Sequence, residues 1–262
     1  MTTNTDRQTL PRFNFETTPR IRFSRLVSVE LQKAVDTRAG KWLVAAILAL
    51  TAGIMVLYYA IGEDTDKTFV NFIGFAAGPQ SFLLPVLGVL LMTSEWSQRT
   101  ALVTFALAPS RTQVIGAKVV AAIILGIVAF AGAVIVATVA TLAAGRQDGF
   151  ADVTAPTLLL FLAVQLLGVL QGVAYGLILL NTPAAIVALF VLPTASTILF
   201  TGVRSLSDIA PWVDLQTAQS PLVNGDFDIT GTQLAQIGVT ALIWIVLPFL
   251  AGWLRVMRAE IK

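Results

Sequence analysis

Cysteine and histidine are both absent from this chain. Without cysteine there is no disulfide framework, no thiolate nucleophile and no sulfur ligand, and without histidine the other common route to zinc or haem ligation is closed. No metal cofactor is expected. Charge is scarce as well: only 12% of the 262 residues are Asp, Glu, Lys or Arg, 56% are hydrophobic, and the mean hydropathy is +0.81. A water-soluble domain of this length cannot hide so much apolar surface, so a membrane is the expected solvent.

Four further absences narrow the function. The phosphate-cradling pattern G-x-x-x-x-G-K-[ST] does not occur; the one GK pair is Gly40-Lys41, followed by Trp42. No ionisable residue falls inside an apolar run, which removes the usual mark of a proton relay or charge-paired ion site. Neither a Ser–His pair nor a paired-carboxylate constellation suggests intramembrane catalysis. The first three apolar runs show no convincing repeat in the last three, so self-similarity gives no support to a carrier of inverted halves.

What remains is a set of six apolar runs long enough to cross a hydrocarbon core, at about residues 42–61, 69–92, 119–144, 157–180, 184–203 and 234–254. Lys and Arg decide their orientation. The segment before the first run holds eight, residues 93–118 hold three and the C-terminal end holds three, so one side carries 14 of the 17. The other side has Lys67, Arg146 and Arg204, together with nine of the 15 acidic residues. Both termini, Met1 and Lys262, are therefore expected in the cytoplasm, with Asp64, Asp148 and Asp226 outside. The expected fold is an all-α integral membrane protein with six transmembrane helices.

Residues 1–19 are polar, lack the charged-then-apolar order of a signal peptide, and are expected to form a flexible cytoplasmic tail. Residues 20–40 contain an amphipathic stretch, with Phe23, Leu26, Val27, Leu31 and Ala34 on one face and Arg22, Arg25, Gln32, Lys33 and Asp36 opposite. An interfacial helix is expected there, ahead of a transmembrane domain over 41–262. Glu30 falls in the middle of the apolar face; it either pairs with a base from another segment or marks a contact surface. Residues 93–118 contain Ser94-Glu95-Trp96-Ser97-Gln98-Arg99-Thr100, an apolar stretch to Ala108, then Pro109-Ser110-Arg111-Thr112 and Lys118. The apolar stretch is expected to form a short helix against the bundle, with Ser110 placed to cap the next one. That arrangement leaves Glu95, Arg99 and Arg111 available to a cytoplasmic partner.

Within the runs, Gly78-Pro79, Pro85 and Pro193 are expected to interrupt helices, as shape-giving kinks or as hinges. Gly168, Gly172 and Gly176 line one helix face, for close packing inside the chain or against a second subunit. Gln165 and Gln171 on the same helix either line a pathway or hydrogen-bond a neighbouring helix. Residues 204–233, acidic and containing Trp212, are expected to form short interfacial or re-entrant helices outside.

In two stretches the chain resembles the permease subunits of type-2 ATP-binding-cassette (ABC) transporters, particularly those of high-GC Gram-positive bacteria. Glu30-Leu31-Gln32-Lys33 with Thr37-Arg38 and Trp42 is similar to the family's leading amphipathic helix. Glu95, Thr100, Pro109, Ser110, Arg111 and Lys118 are similar to its cytoplasmic loop, although Arg99 stands where the family often has Gly. The resemblance implies that this loop is a coupling helix touching an ATPase, with contacts from Glu30, Glu95, Arg99, Pro109, Ser110, Arg111 and Lys118. It also implies two permease subunits, as homodimer or heterodimer, with two ATPase subunits that carry ATP and Mg. Such an assembly in the bacterial plasma membrane moves a lipid-like, peptide or drug-like substrate, usually outward, and this chain itself is not an enzyme. No nucleic-acid partner is expected. The competing reading is a membrane scaffold or immunity-type protein that acts by association without transport.

Overall fold

A computed structural model describes residues 21–107, 110–223 and 229–258; the expected tail over residues 1–19, and Pro109, Asp226 and Lys262, lie outside the described residues. Among the described residues every regular element is helical. Six helices are long and apolar enough to span a membrane: α2 (Arg38–Ile61), α3 (Phe69–Ser97), α5 (Arg111–Ala144), α6 (Ala155–Leu179), α7 (Thr182–Gly202) and the continuous stretch Gly231–Arg258. The shorter elements are α1 (Phe23–Asp36), α4 (Ala101–Leu107), α8 (Ala210–Val213) and α9 (Leu215–Val223). The last span consists of α10 (Gly231–Ala241), a π segment over Leu242–Val246, and α11 (Leu247–Arg258).

Local chemistry sets the helix starts. Thr68, Ser110, Thr154 and Asn181 each accept a hydrogen bond from a backbone N–H in the first turn of α3, α5, α6 and α7. Pro183 follows Asn181 at the first-turn position where a missing N–H costs nothing. Thr230 and Gln233 form a reciprocal capping box at α10. At the other end of α5, Gly145 adopts φ 68 and stops the helix.

Two expectations about these helices are corrected. Pro79, Pro85 and Pro193 do not end a helix, because α3 and α7 run through all three. Residues 93–118 are also less of a connector than composition suggests, since α3 continues to Ser97 and α5 begins at Arg111. Apolar runs mark the length that crosses hydrocarbon, whereas a helix continues until a cap or an incompatible φ ends it.

The helix α3 is the centre of the bundle: 56% of its most apolar window is buried, against 17% for α2. Its most extensive partner is α6. The glycine face of α6 lies on α3, where a Cβ at Gly172 would fall on the Pro85 carbonyl. One at Gly176 would sit 2.9 Å from Met92 Cβ and 3.0 Å from the Val89 oxygen, and one at Gly168 3.3 Å from Pro85 Cγ. Gly88 of α3 answers them, with its added Cβ 2.6 Å from the Val169 oxygen. These small residues therefore serve a backbone approach inside this chain. Leu84, Leu87, Leu91, Val169, Val173 and Leu177 fill the remaining contact. Trp42, Val56, Ile61, Val139 and Ile198 point outward, as side chains of a lipid-surrounded bundle do.

This contact predicts a contrast between two helical glycines. Gly172→Ala must push α6 from α3 and is expected to cost about 1–3 kcal/mol, the usual penalty for overpacking. Gly132, with nothing within 4 Å of an added Cβ, is expected to tolerate Ala with no loss of stability. Thermal unfolding midpoints in mild detergent measure both.

Candidate functional site

Four charged side chains meet at the end of the bundle where α1, α3 and α5 converge. Lys118 of α5 donates to Glu30 Oε2 at 2.6 Å and to the Leu91 carbonyl at 3.0 Å, and its Nζ lies 3.3 Å from Glu95 Oε1. Lys33 of α1 donates to Glu30 Oε1 at 2.8 Å and to Glu95 Oε1 at 3.0 Å. Glu30 and Glu95 are each 4% exposed and Lys118 is 3% exposed, so three of the four are removed from water. Glu30 occupies the buried face of α1 between Val27 and Ala34 because its carboxylate is met there by two ammonium groups. Of the two uses open to it in the sequence, it takes the first and pairs with bases, one of them from another segment.

Such a cluster is stable only while its charges balance, because an ion buried without its partner carries a desolvation penalty of several kcal/mol. Two carboxylates and two ammonium groups sum to zero. Lys33 is the one member that reaches solvent. Burial acts to lower its pKa, but the hydrogen bond to Glu30 and the charges of Glu95 and Glu30 outweigh that and hold it above the ordinary lysine value. The resulting stabilisation is complete below the ordinary lysine pKa and is lost only as pH rises through the raised one. At neutral pH Lys33 is charged.

The short helix α4 is fastened to this cluster. Thr104 donates its hydroxyl to Glu95 Oε1 at 3.3 Å, and the Thr100 N–H donates to the Glu95 carbonyl at 2.8 Å. Between α3 and α4, Arg99 adopts φ 57. That left-handed conformation costs a non-glycine residue about 1–2 kcal/mol and is where glycine is at ease. The turn thus keeps the backbone shape a Gly-Thr pair would give, with Arg99 in the glycine position. Arg99, Leu102 and Val103 are exposed.

The expectation that Glu95 and Arg111 stand free for a partner is corrected. Glu95 turns into the bundle because Lys33 and Lys118 await it there. Arg111 donates to the Val256 carbonyl at 2.7 Å and to that of Met257 at 3.4 Å, near the end of α11. Glu30 and Lys118 are likewise interior groups. Ser110 caps α5 by accepting from the Gln113 N–H. Of the expected contact residues that are described, Arg99 alone has an exposed side chain with no ion pair among the described residues. No family model matches the chain, and no curated protein gives a significant match.

Two cavities lie along α3. One, of about 610 Å³, opens beside the ion cluster and is lined by parts of α1, α2, α3, α4 and the start of α7. The other, of about 480 Å³, lies toward the opposite end between α3, α6 and α7, under α9. Gln165, Gly168 and Gln171 line it, as do Phe82 and Phe190, whose rings stack 6.1 Å apart across α3 and α7. Gln165 also donates to the Gly126 carbonyl of α5 at 2.9 Å, and Gln171 to the Tyr175 hydroxyl at 3.4 Å. The glutamines therefore both bond within the bundle and edge the cavity. None of the lining residues is charged. Pro85 and Pro193 belong to its wall, and each deprives the carbonyl four residues earlier, Ser81 and Leu189, of its helical partner.

The cap over this cavity is held by a carboxylate that sequence reading passed over. Asp214, 0% exposed, accepts from the Thr217 N–H at 2.8 Å, the Thr217 hydroxyl at 2.7 Å and the Thr197 hydroxyl at 3.0 Å. Trp244, on the π segment, donates to the Val213 carbonyl at 2.6 Å. Lys33 was also missed as a site residue, although its place three residues after Glu30 on a helix was a legible pairing signal.

Removing one charge from the cluster tests its balance. Lys118→Met leaves an unmatched carboxylate and is expected to cost about 3–5 kcal/mol. Adding Glu30→Gln, which leaves Lys33 paired with Glu95, is expected to restore a good part of that loss. Unfolding free energies of the two single variants and the double variant give the coupling; strictly additive losses would mean the residues do not act as a unit.

Proposed function

We propose that this chain is the membrane-spanning permease subunit of an ATP-driven exporter of the type-2 ABC kind, gripped at α4 by a separate ATPase. In this reading the α1 end of the bundle is cytoplasmic, as the distribution of Lys and Arg favours, and the cap of α8 and α9 is outside. The observation that carries the proposal is the attachment of α4 to the ion cluster. A load applied at Arg99, Leu102 and Val103 passes through Thr100 and Thr104 to Glu95, and from Glu95 to α1 and α5. A helix that only anchored the chain would need no such linkage to three others.

The uncharged cavity supports the transport side of the same reading. Its walls combine aromatic rings with glutamine amides and proline-freed carbonyls, which suits neutral, amphipathic cargo and offers nothing to neutralise an ion. The chain lacks the phosphate-cradling loop, so ATP and Mg belong to the partner, in two copies, and a second permease subunit, identical or different, completes the pathway. The bacterial plasma membrane is the proposed location.

Purification of tagged chain in mild detergent is expected to bring down a soluble protein with a Walker nucleotide loop. Arg99→Glu is then expected to weaken that association about tenfold or more, the loss of one shielded charge-assisted contact, while the thermal midpoint of the chain alone stays put. Absence of any nucleotide-hydrolysing partner would favour the scaffold reading, and ATP hydrolysis by the isolated chain would refute the division of labour.

A further inference from the structure

The cavity beside the ion cluster has an asymmetric wall. Leu87, Leu90 and Val103 are among its apolar lining residues, and Lys33 and Arg38 among its basic ones. Glu30 and Glu95 also line it, but both are already committed to ammonium partners. Lys33 and Lys118 cancel those two carboxylates, so Arg38 leaves the site with one excess positive charge. Arg38 is exposed and has no carboxylate partner among the described residues. Lys33 has a donor to spare: of its three N–H groups one goes to Glu30 and one to Glu95, and its side chain is 39% exposed. The amino-terminal turn of α2 lines the same cavity and contains no acidic residue that would offset its partial positive charge.

We infer that this cavity is a specific site for one anionic phospholipid, its phosphodiester held by Arg38 and the free N–H of Lys33 and its acyl chains lying along Leu87, Leu90 and Val103. An excess of one charge matches a phosphodiester, which carries one negative charge. The apolar lining selects a lipid over a soluble phosphate. The flank also suits a lipid, because α1 exposes Phe23, Val29 and Val35 beside its basic residues, the make-up of a helix resting in the headgroup layer. Since Lys33 and Arg38 come from α1 and α2, and Thr104 from α4, a bound headgroup braces α4 against α1 and α2. The inference needs the chain to lie in a membrane and does not depend on its being a permease.

Native mass spectrometry of the full chain, titrated with phosphatidylglycerol or with phosphatidylcholine of the same acyl chains, tests the site. The expected result is one tightly retained phosphatidylglycerol, bound about tenfold more strongly than phosphatidylcholine, the scale of one charge-assisted contact. Arg38→Gln is expected to remove that preference, Arg38→Lys to keep most of it, and Arg22→Gln, an exposed base outside the cavity, to leave it intact. Equal retention of the two lipids overturns the site. Equal losses in Arg38→Gln and Arg22→Gln overturn it too, by assigning the preference to diffuse surface charge. If glycerol phosphate binds as tightly as the lipid and displaces it, the occupant is a soluble phosphate and the lipid assignment is wrong. None of these outcomes depends on an ATPase partner, so they leave the permease proposal to its own test.

Discussion

Two carboxylates and an ammonium group that leave water together, with a second ammonium group at the water's edge, must stay together, because any helix that withdraws its charge leaves buried charge unmatched. Glu30, Lys33, Glu95 and Lys118 impose that condition on α1, α3 and α5 at one end of the bundle, and through Thr104 they impose it on α4. Apolar contact alone would leave α1 free to slide on its amphipathic face, since lipid tails are as apolar as a neighbouring helix. Charge pairing supplies the register that greasy surfaces lack. It also links four elements, α1, α3, α4 and α5, through one set of contacts.

The rest of the bundle is arranged around a different economy of space. Gly88, Gly172 and Gly176 bring the α3 and α6 backbones into contact, and α3 lines both the charged cavity and the uncharged one. At the far end the same logic recurs with hydrogen bonds in place of ion pairs: Asp214 ties α9 to α7 through Thr197, and Trp244 ties α8 to the last span. In each case a polar link fixes an element that hydrophobic contact would leave loosely placed.

Much of this was legible in the chain because a membrane simplifies the code. Apolar runs located all six long helices, and the buried face of α1 was visible from the spacing of Val27 and Ala34, although Phe23, read onto the same face, is exposed. The glycine line on α6 announced a close approach, though not which helix would receive it. What could not be read was where each charge points. Glu95 looks like an exposed residue next to Ser94 and Ser97, and only the arrival of Lys33 and Lys118 from other helices draws it inward. Arg111 was obscured in the same way, because its acceptors at Val256 and Met257 lie at the opposite end of the sequence. Helix ends were hidden too: α3 and α5 extend past their apolar runs, and the left-handed turn at Arg99 carries no glycine to betray it. Asp214 reads as one more acidic residue of an outer segment until Thr197 is brought beside it.

The most direct test of this account asks whether α1 is locked to the bundle by charge or merely rests on the membrane. Backbone hydrogen exchange over residues 23–36, measured on the chain in lipid nanodiscs, separates the two. Locked by the cluster, these amides exchange through the same slow opening as the inner ends of α3 and α5, and in Lys118→Met the protection of all three segments falls together. Fast exchange of α1 in the unmodified chain, or protection that survives in Lys118→Met, would contradict it.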